Sequence, residues 1–375
     1  MKNWDTNRLD TKVDALLKDG RERGVFSGAA VGIYRFGTRE VRTIQFTGTT
    51  RKDSHEKNIS PHTLFDLASL TKPLCTALSI FFLIQQKEMQ WDTKVFDILH
   101  FSCPPELRNI TVDQLLSHSS GLLAYIPLYE KLPPIPDEGN KIKIIQAFLR
   151  EKTAYVPESR CLYSDIGFML LGSLVERING EGLDIFFQRE ITGPLQLTES
   201  ILFRPLSAQN RGSENIAATE FCPWRQKLIQ GEVHDEHAWL MNGVAGHAGL
   251  FGTVGGVMQL CEHILHQWKE RSVHPVLSAS VLRKGMERKY QGQTWSRGFD
   301  TPSTHGSSAG SYFSKKSVGH LGFTGTSFWI DPEHDVVVVF LSNRIHPTRN
   351  NEKIKMFRPV LHNTIMEELL IKTPL

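Results

Sequence analysis

Apolar residues recur at Leu9, Val13, Leu16 and Leu17, a spacing that places them on one helix face, with Gly20 at its expected end. Two β-rich stretches follow, "GAAVGIYRFG" and "REVRTIQFTG", parted by a turn containing Gly37, and they predict a hairpin. Near the other end, "TSFWIDPEHDVVVVFLSN" predicts two more strands around a Pro-containing turn. Its run Val336 to Leu341 is apolar on both faces, as a central strand requires. A last helix is expected after Pro359, with Leu361, Ile365, Leu369 and Leu370 on one side. Between these ends the periodicity is helical: the apolar stretch from Leu74 to Ile84, "TVDQLLSHSSGL", "KIKIIQAFLREK", "IGFMLLGSLVERI" and "VMQLCEHILHQW".

Strands at both termini around a helical middle predict an α+β fold. Residues 1–73 and 271–375 are expected to build an antiparallel sheet flanked by the terminal helices, with 74–270 inserted as a mainly helical lobe. A cleft between the two is then the default ligand site. The stretch "IPLYEKLPPIPDEGN" reads as a surface loop at its rim.

Composition narrows the partners rather than the fold. Lys and Arg total 43 against 40 Asp and Glu, a net charge of +3, without the basic stripe of a nucleic-acid binder. The 5 cysteines are scattered, with no CxxC pair, and read as small buried hydrophobes in a reducing compartment. The N-terminal "MKNWDTNRLDTKVD" carries charges where an export signal has an apolar core, and the run Leu74–Ile84 is short of the roughly 20 residues that span a bilayer. A cytoplasmic protein without a membrane span is expected, with the periplasm as the alternative.

Candidate chemistry begins at "FDLASLTKPLCTAL", where Ser69 and Lys72 stand three apart at the mouth of the apolar helix. Residues three apart share a helix face, and a lysine beside a hydroxyl in a desolvated site can activate it as a nucleophile. A second Ser-x-x-Lys, Ser54 to Lys57, lies in a charged stretch with nothing to desolvate its lysine. Two further segments supply partners: Tyr163, Ser164 and Asp165 on a turn before a helix, and His320, Leu321 and Gly322 on a strand.

In chain order, Ser69-Leu70-Thr71-Lys72, Tyr163-Ser164-Asp165 and His320-Leu321-Gly322 resemble the three motifs of serine β-lactamases and penicillin-binding proteins. The tyrosine places the resemblance nearest class C β-lactamases and related esterases and D-amino-acid peptidases. It extends from about Gly28 to Asn343. By that resemblance Ser69 is the nucleophile, Lys72 its proton acceptor or electrostatic partner, and Tyr163 the relay to the leaving group; both Lys72 and Tyr163 are candidates for the base. The N–H groups of Ser69 and Phe323 would form the oxyanion hole, and Asp165, His320 and Gly322 would contact substrate.

Two positions depart from the family pattern. Asp165 stands where class C enzymes have asparagine; near Lys72 it would favour the ammonium and shift the base role toward Tyr163. His320 replaces the third motif's lysine, and with an ordinary pKa near ~6.5 it is expected to be partly cationic at neutral pH. Without a permanent cation, ester or neutral amide substrates are expected ahead of β-lactams. The expected activity is therefore a cofactor-independent serine hydrolase acting through an acyl-enzyme on esters or D-amino-acid amides. A D,D-carboxypeptidase or β-lactamase, and an acylating sensor without turnover, are the alternatives.

Three other patterns carry less weight. "GSSAG", 306–310, matches a nucleophile elbow but lacks the strand and helix around it. His234, His237 and His247 could cluster around a metal, though in an order unlike the zinc-hydrolase motifs, and no metal is expected. "GHLGFTG" lacks the Lys-Ser/Thr of a phosphate cradle.

Overall fold

The computed structural model describes residues 6–370 apart from 39, 138, 208–214 and 274. The outermost parts of the expected sheet lobe, 1–5 and 371–375, lie outside the described residues. Five strands form an antiparallel sheet: β1 (Gly28–Arg35), β2 (Val41–Gly48), and then β8 (Val318–Leu321), β9 (Ser327–Asp331) and β10 (Val336–Ser342) from the far end of the chain. Their order is β2-β1-β10-β9-β8, so β10 is central and β8 an edge. β1 joins the two chain ends, pairing Arg35 with Val41 in its hairpin and Val31 with Phe340 in β10.

The alternation of a strand divides the core into two layers. Val31, Ile33, Val338 and Phe340 face the terminal helices Thr6–Glu22 and Ile354–Leu370, through Leu9, Val13, Leu361 and Ile365. Ala30, Val337, Val339 and Leu341 face the helix Val254–Trp268, in the larger core that continues through the helical part. Gly32 lets that helix close in, since a Cβ there would lie 3.0 Å from the Met258 sulfur.

Element ends depart from the periodicity in instructive ways. The first helix runs two residues past Gly20, which serves packing: a Cβ there would stand 2.7 Å from the Phe357 ring. The last helix starts at Ile354, so Pro359 lies inside it and not in its first turn. The central helices form at Val112–Leu116, Asn140–Leu149, Asp165–Asn179 and Val254–Trp268. The helical part also holds short strands that periodicity did not reveal. β4 (Ile201–Phe203) and β7 (Leu250–Gly252) join β3 (Phe65–Asp66), while β5 (Phe221–Cys222) pairs with β6 (Lys227–Leu228). Two or three residues are too few to show a period of two.

The stretch Ala68–Gln85 is long and apolar enough to cross a membrane by length and composition, but 78% of it is buried inside the fold.

Candidate active site

Ser69 stands where β3 passes into a tight 3-10 turn, Ala68–Leu70. Ala68, just before it, has φ +47°, a left-handed conformation that costs a side-chain-bearing residue on the order of 1–3 kcal/mol. Hydrogen bonds hold it there. The Ala68 N–H donates to Asp66 Oδ1 at 2.8 Å, and the Thr71 hydroxyl donates to the Ala68 carbonyl at 2.7 Å. Asp66 is buried, and its second oxygen accepts the His234 N–H at 2.7 Å.

The helix then opens into a π turn over Lys72–Ala77 before becoming α-helical. Pro73 supplies a reason: in an α-helix its ring would crowd the carbonyl four residues back, that of Ser69, and it has no N–H to give. Lys72 leaves this turn fully buried, with oxygens around its amine. Nζ lies 2.7 Å from Asp165 Oδ1, 3.0 Å from Ser69 Oγ and 3.0 Å from the His247 carbonyl, and contacts the Tyr163 phenol. Burial alone would lower the Lys72 pKa, but the carboxylate of Asp165 and the phenol oxygen raise it above its ordinary value. The amine is thus held as an ammonium, as the sequence suggested for an aspartate placed here.

Tyr163 is positioned by the residue after it. Ser164 caps the helix Asp165–Asn179, its hydroxyl accepting from Gly167 N–H at 3.3 Å and donating to the Leu123 carbonyl at 2.7 Å. The Ser164 N–H donates to His118 Nδ1 at 3.1 Å, and the His118 ring packs at a tilt against Tyr163 at 4.8 Å and edge-on to Trp295 at 4.8 Å. The phenol hydrogen-bonds with the Ser69 and Lys72 side chains. Burial raises its pKa, against the lowering effect of Lys72, so it is a neutral hydroxyl at neutral pH.

The third segment follows the edge strand β8. Gly322 N–H bonds to the Thr326 carbonyl at 2.7 Å, and the Thr324 and Thr326 hydroxyls bond to the carbonyls of Asp66 and Leu67. This turn is thereby fastened to β3 and the residue after it, just ahead of Ser69. A Cβ at Gly322 would meet the Thr326 hydroxyl at 1.9 Å and the Leu67 carbonyl at 2.7 Å, so only glycine fits. Among the described residues, no protein acceptor takes the N–H of Ser69 or of Phe323.

His320 corrects the sequence reading. It is only 2% exposed, and burial, helped by the Lys72 charge, pushes its pKa down to about 3; it is neutral, not partly cationic, at neutral pH. Its Nδ1 lies 2.8 Å from the Leu321 carbonyl, and Nε2 has no partner among the described residues.

Ser69, Tyr163, Asp165, His320, Gly322 and Phe323 line one cavity of about 700 Å³, with Lys72 directly behind Ser69. A larger cavity of about 880 Å³, around Lys141, Glu176 and Arg177, contains none of these groups. The other sequence candidates fall elsewhere. Ser54 and Lys57 are exposed, and "GSSAG" forms a turn in which Ser308 offers its carbonyl to His362. The three histidines do not converge: His234 pairs with Glu220 at 3.0 Å, His247 with Asp235 at 2.8 Å, and His237 sits among the rings of Tyr125, Tyr129 and Phe148. Glu220, Cys222 and Glu236 group closely enough to hold a metal, yet Arg349 already bridges the two glutamates.

Sequence reasoning missed the support of the site. Nothing in the sequence marked the carbonyl of His247 or the ring of Trp295, since backbone groups and ring-packing partners leave no spacing signal.

A serine, an ammonium and a phenol in mutual contact, beside two free amide N–H groups and a cavity, make a site suited to nucleophilic acyl transfer. The chain belongs to the Beta-lactamase family, whose model matches residues 13–359, and it is a serine hydrolase of that type with the corresponding α+β fold. It is 30% identical over 309 residues to a protein of Escherichia coli (strain K12) provisionally named a D-alanyl-D-alanine carboxypeptidase, covering 76% of this chain and 70% of that one. It is 27% identical to an N-acetylmuramyl-L-alanine amidase of Bacillus subtilis (strain 168), over 92% of this chain and 84% of the relative. Its fold matches that of D-amino acid amidase from Ochrobactrum anthropi SV3 with a TM-score of 0.74, at 17% identity, over 97% and 99% of the two chains.

Proposed function

We propose that the chain hydrolyses amides or esters of small amino-acid-like acyl groups through an acyl-enzyme on Ser69, in the manner of class C β-lactamases and their amidase and esterase relatives. The observation that carries this is the contact of Ser69 with both a buried ammonium and a neutral phenol at the wall of one cavity. Because Lys72 is held protonated by Asp165, it acts as electrostatic anchor, and Tyr163 carries the protons. Ser69 Oγ attacks the carbonyl carbon while its proton passes to the Tyr163 oxygen and Tyr163's own proton moves to the leaving nitrogen or oxygen. The carbonyl oxygen, now negative, rests between the N–H groups of Ser69 and Phe323. The bond to the leaving group breaks and the protonated amine or alcohol departs. Water then attacks the acyl-enzyme, giving a proton to Tyr163 as Tyr163 returns one to Ser69, and the acid is released.

Amides rank first because relatives and fold neighbours carry amidase names. Intact-mass measurement after a fluorophosphonate should show one adduct, absent in Ser69→Ala. A label that persists in Ser69→Ala would end the assignment of the nucleophile. Turnover of a p-nitrophenyl ester by the wild type separates an enzyme from a sensor that acylates and stops.

A further inference from the structure

His320 is buried in the wall of the Ser69 cavity with one nitrogen committed and the other not. Its Nδ1 faces the Leu321 carbonyl at 2.8 Å, and a carbonyl only accepts, so Nδ1 carries the hydrogen. Nε2 is then a bare lone pair without a partner among the described residues. A buried acceptor left unpaired is unfavourable, and a ligand donor would recover that loss. The ring lies 5.9 Å from that of Tyr163 and 5.7 Å from that of Trp295, so it borders the phenol that the acyl-enzyme reading makes the proton carrier.

The cations around this cavity offer no ready seat for a carboxylate. Arg349 is bound to Glu220 and Glu236, and Arg344 donates to the carbonyls of Phe323, Arg349 and Asn351. Arg358, buried, donates to the carbonyls of Gly322 and Thr326, and Lys355 pairs with Glu352 at the exposed rim.

Resting on the acyl-enzyme reading, we infer that His320 determines specificity by accepting a hydrogen bond at Nε2 from the N–H of the leaving amine. The preferred substrates are amides whose leaving group bears an N–H and no carboxylate. The bond would aim the leaving nitrogen's lone pair at the Tyr163 O–H. An ester oxygen has no hydrogen to offer, and a carboxylate would face a lone pair.

The test uses one acyl group and several leaving groups: D-alanine amide, its N-methyl and N,N-dimethyl amides, the methyl ester, and D-alanyl-D-alanine. Wild-type kcat/KM should drop about tenfold or more from the N-methyl to the N,N-dimethyl amide, which lacks the N–H. His320→Lys should lose about tenfold on the primary amide with a smaller loss on the ester, and gain on the dipeptide. His320→Gln, which keeps an acceptor, should recover most of the amide rate. Equal rates for the two methylated amides would overturn the inference even if no variant folds. So would a dipeptide turned over as fast as the amide, with that turnover lost in Lys355→Ala. Ser69 labelled by fluorophosphonate while the amide series stays flat sinks this inference alone; no labelling of Ser69 sinks the reading beneath it as well.

Discussion

In the proposed mechanism two residues decide how Ser69 is served. Lys72 and Tyr163 both have pKa values raised above their ordinary ones, so neither loses its proton near neutrality. We expect kcat/KM to show no falling limb below about pH 10. In Asp165→Asn the burial of Lys72 is no longer opposed by a carboxylate at 2.7 Å, and its pKa falls. A falling limb should then enter the profile below pH 10, and a profile identical to the wild type would show that the ammonium is not required. The identities of these groups were readable in the sequence, because Ser69, Lys72 and Tyr163 carry their chemistry in their side chains. The charge of His320 was not, because its protonation is set by burial that strands and rings distant in sequence create.

The elements around the site are fastened to each other at a few backbone groups, and these are open to substitution. Gly322→Ala drives a Cβ into the Thr326 hydroxyl and the Leu67 carbonyl and so displaces the Phe323 N–H. Loss of one oxyanion donor typically costs about 100- to 1,000-fold in kcat, and stopped-flow acylation should show a loss of that size with KM changed far less. His118 joins the turn after the helix Val112–Leu116 to the start of the helix Asp165–Asn179 through the Ser164 N–H. His118→Ala orphans that buried N–H, at about 1–3 kcal/mol of stability, and loosens Tyr163. His118→Asn places an acceptor near the Nδ1 position and should restore a good part of both; equal defects in the two variants would refute the positioning role. Long periodic helices and the two terminal hairpins were legible in the sequence. The π turn at Pro73 was not, since the proline announces a broken ladder without saying how the chain relieves it.

At the scale of the whole molecule, both chain ends meet in one sheet, and the site lies beside its edge strand. Lys12 and Glu368, 2.6 Å apart, join the two terminal helices that cover the far face. In that layer His362 is fully buried, its Nδ1 donating to the Ser308 carbonyl at 2.7 Å, and burial pushes its pKa down to about 4. His320 is pushed to about 3. Both values lie below the ~6.5 of an unfolded chain, so the unfolded state takes up protons first as pH drops. Their stabilisation is complete above pH ~6.5 and is lost as pH falls through that value toward the folded ones, by about 3 kcal/mol each at pH ~4. Asp300, which burial raises to about 6, works the other way: its contribution is present below the ordinary carboxylate range and is lost as pH rises through 6. The wild-type curve is therefore shallower than the histidines alone would make it. His362→Asn isolates one term, because its amide can still donate to Ser308 but cannot titrate. Urea unfolding from pH 7 to pH 4 should show the variant losing about 3 kcal/mol less than the wild type over that interval, and equal losses would mean that His362 does not stay neutral in the fold.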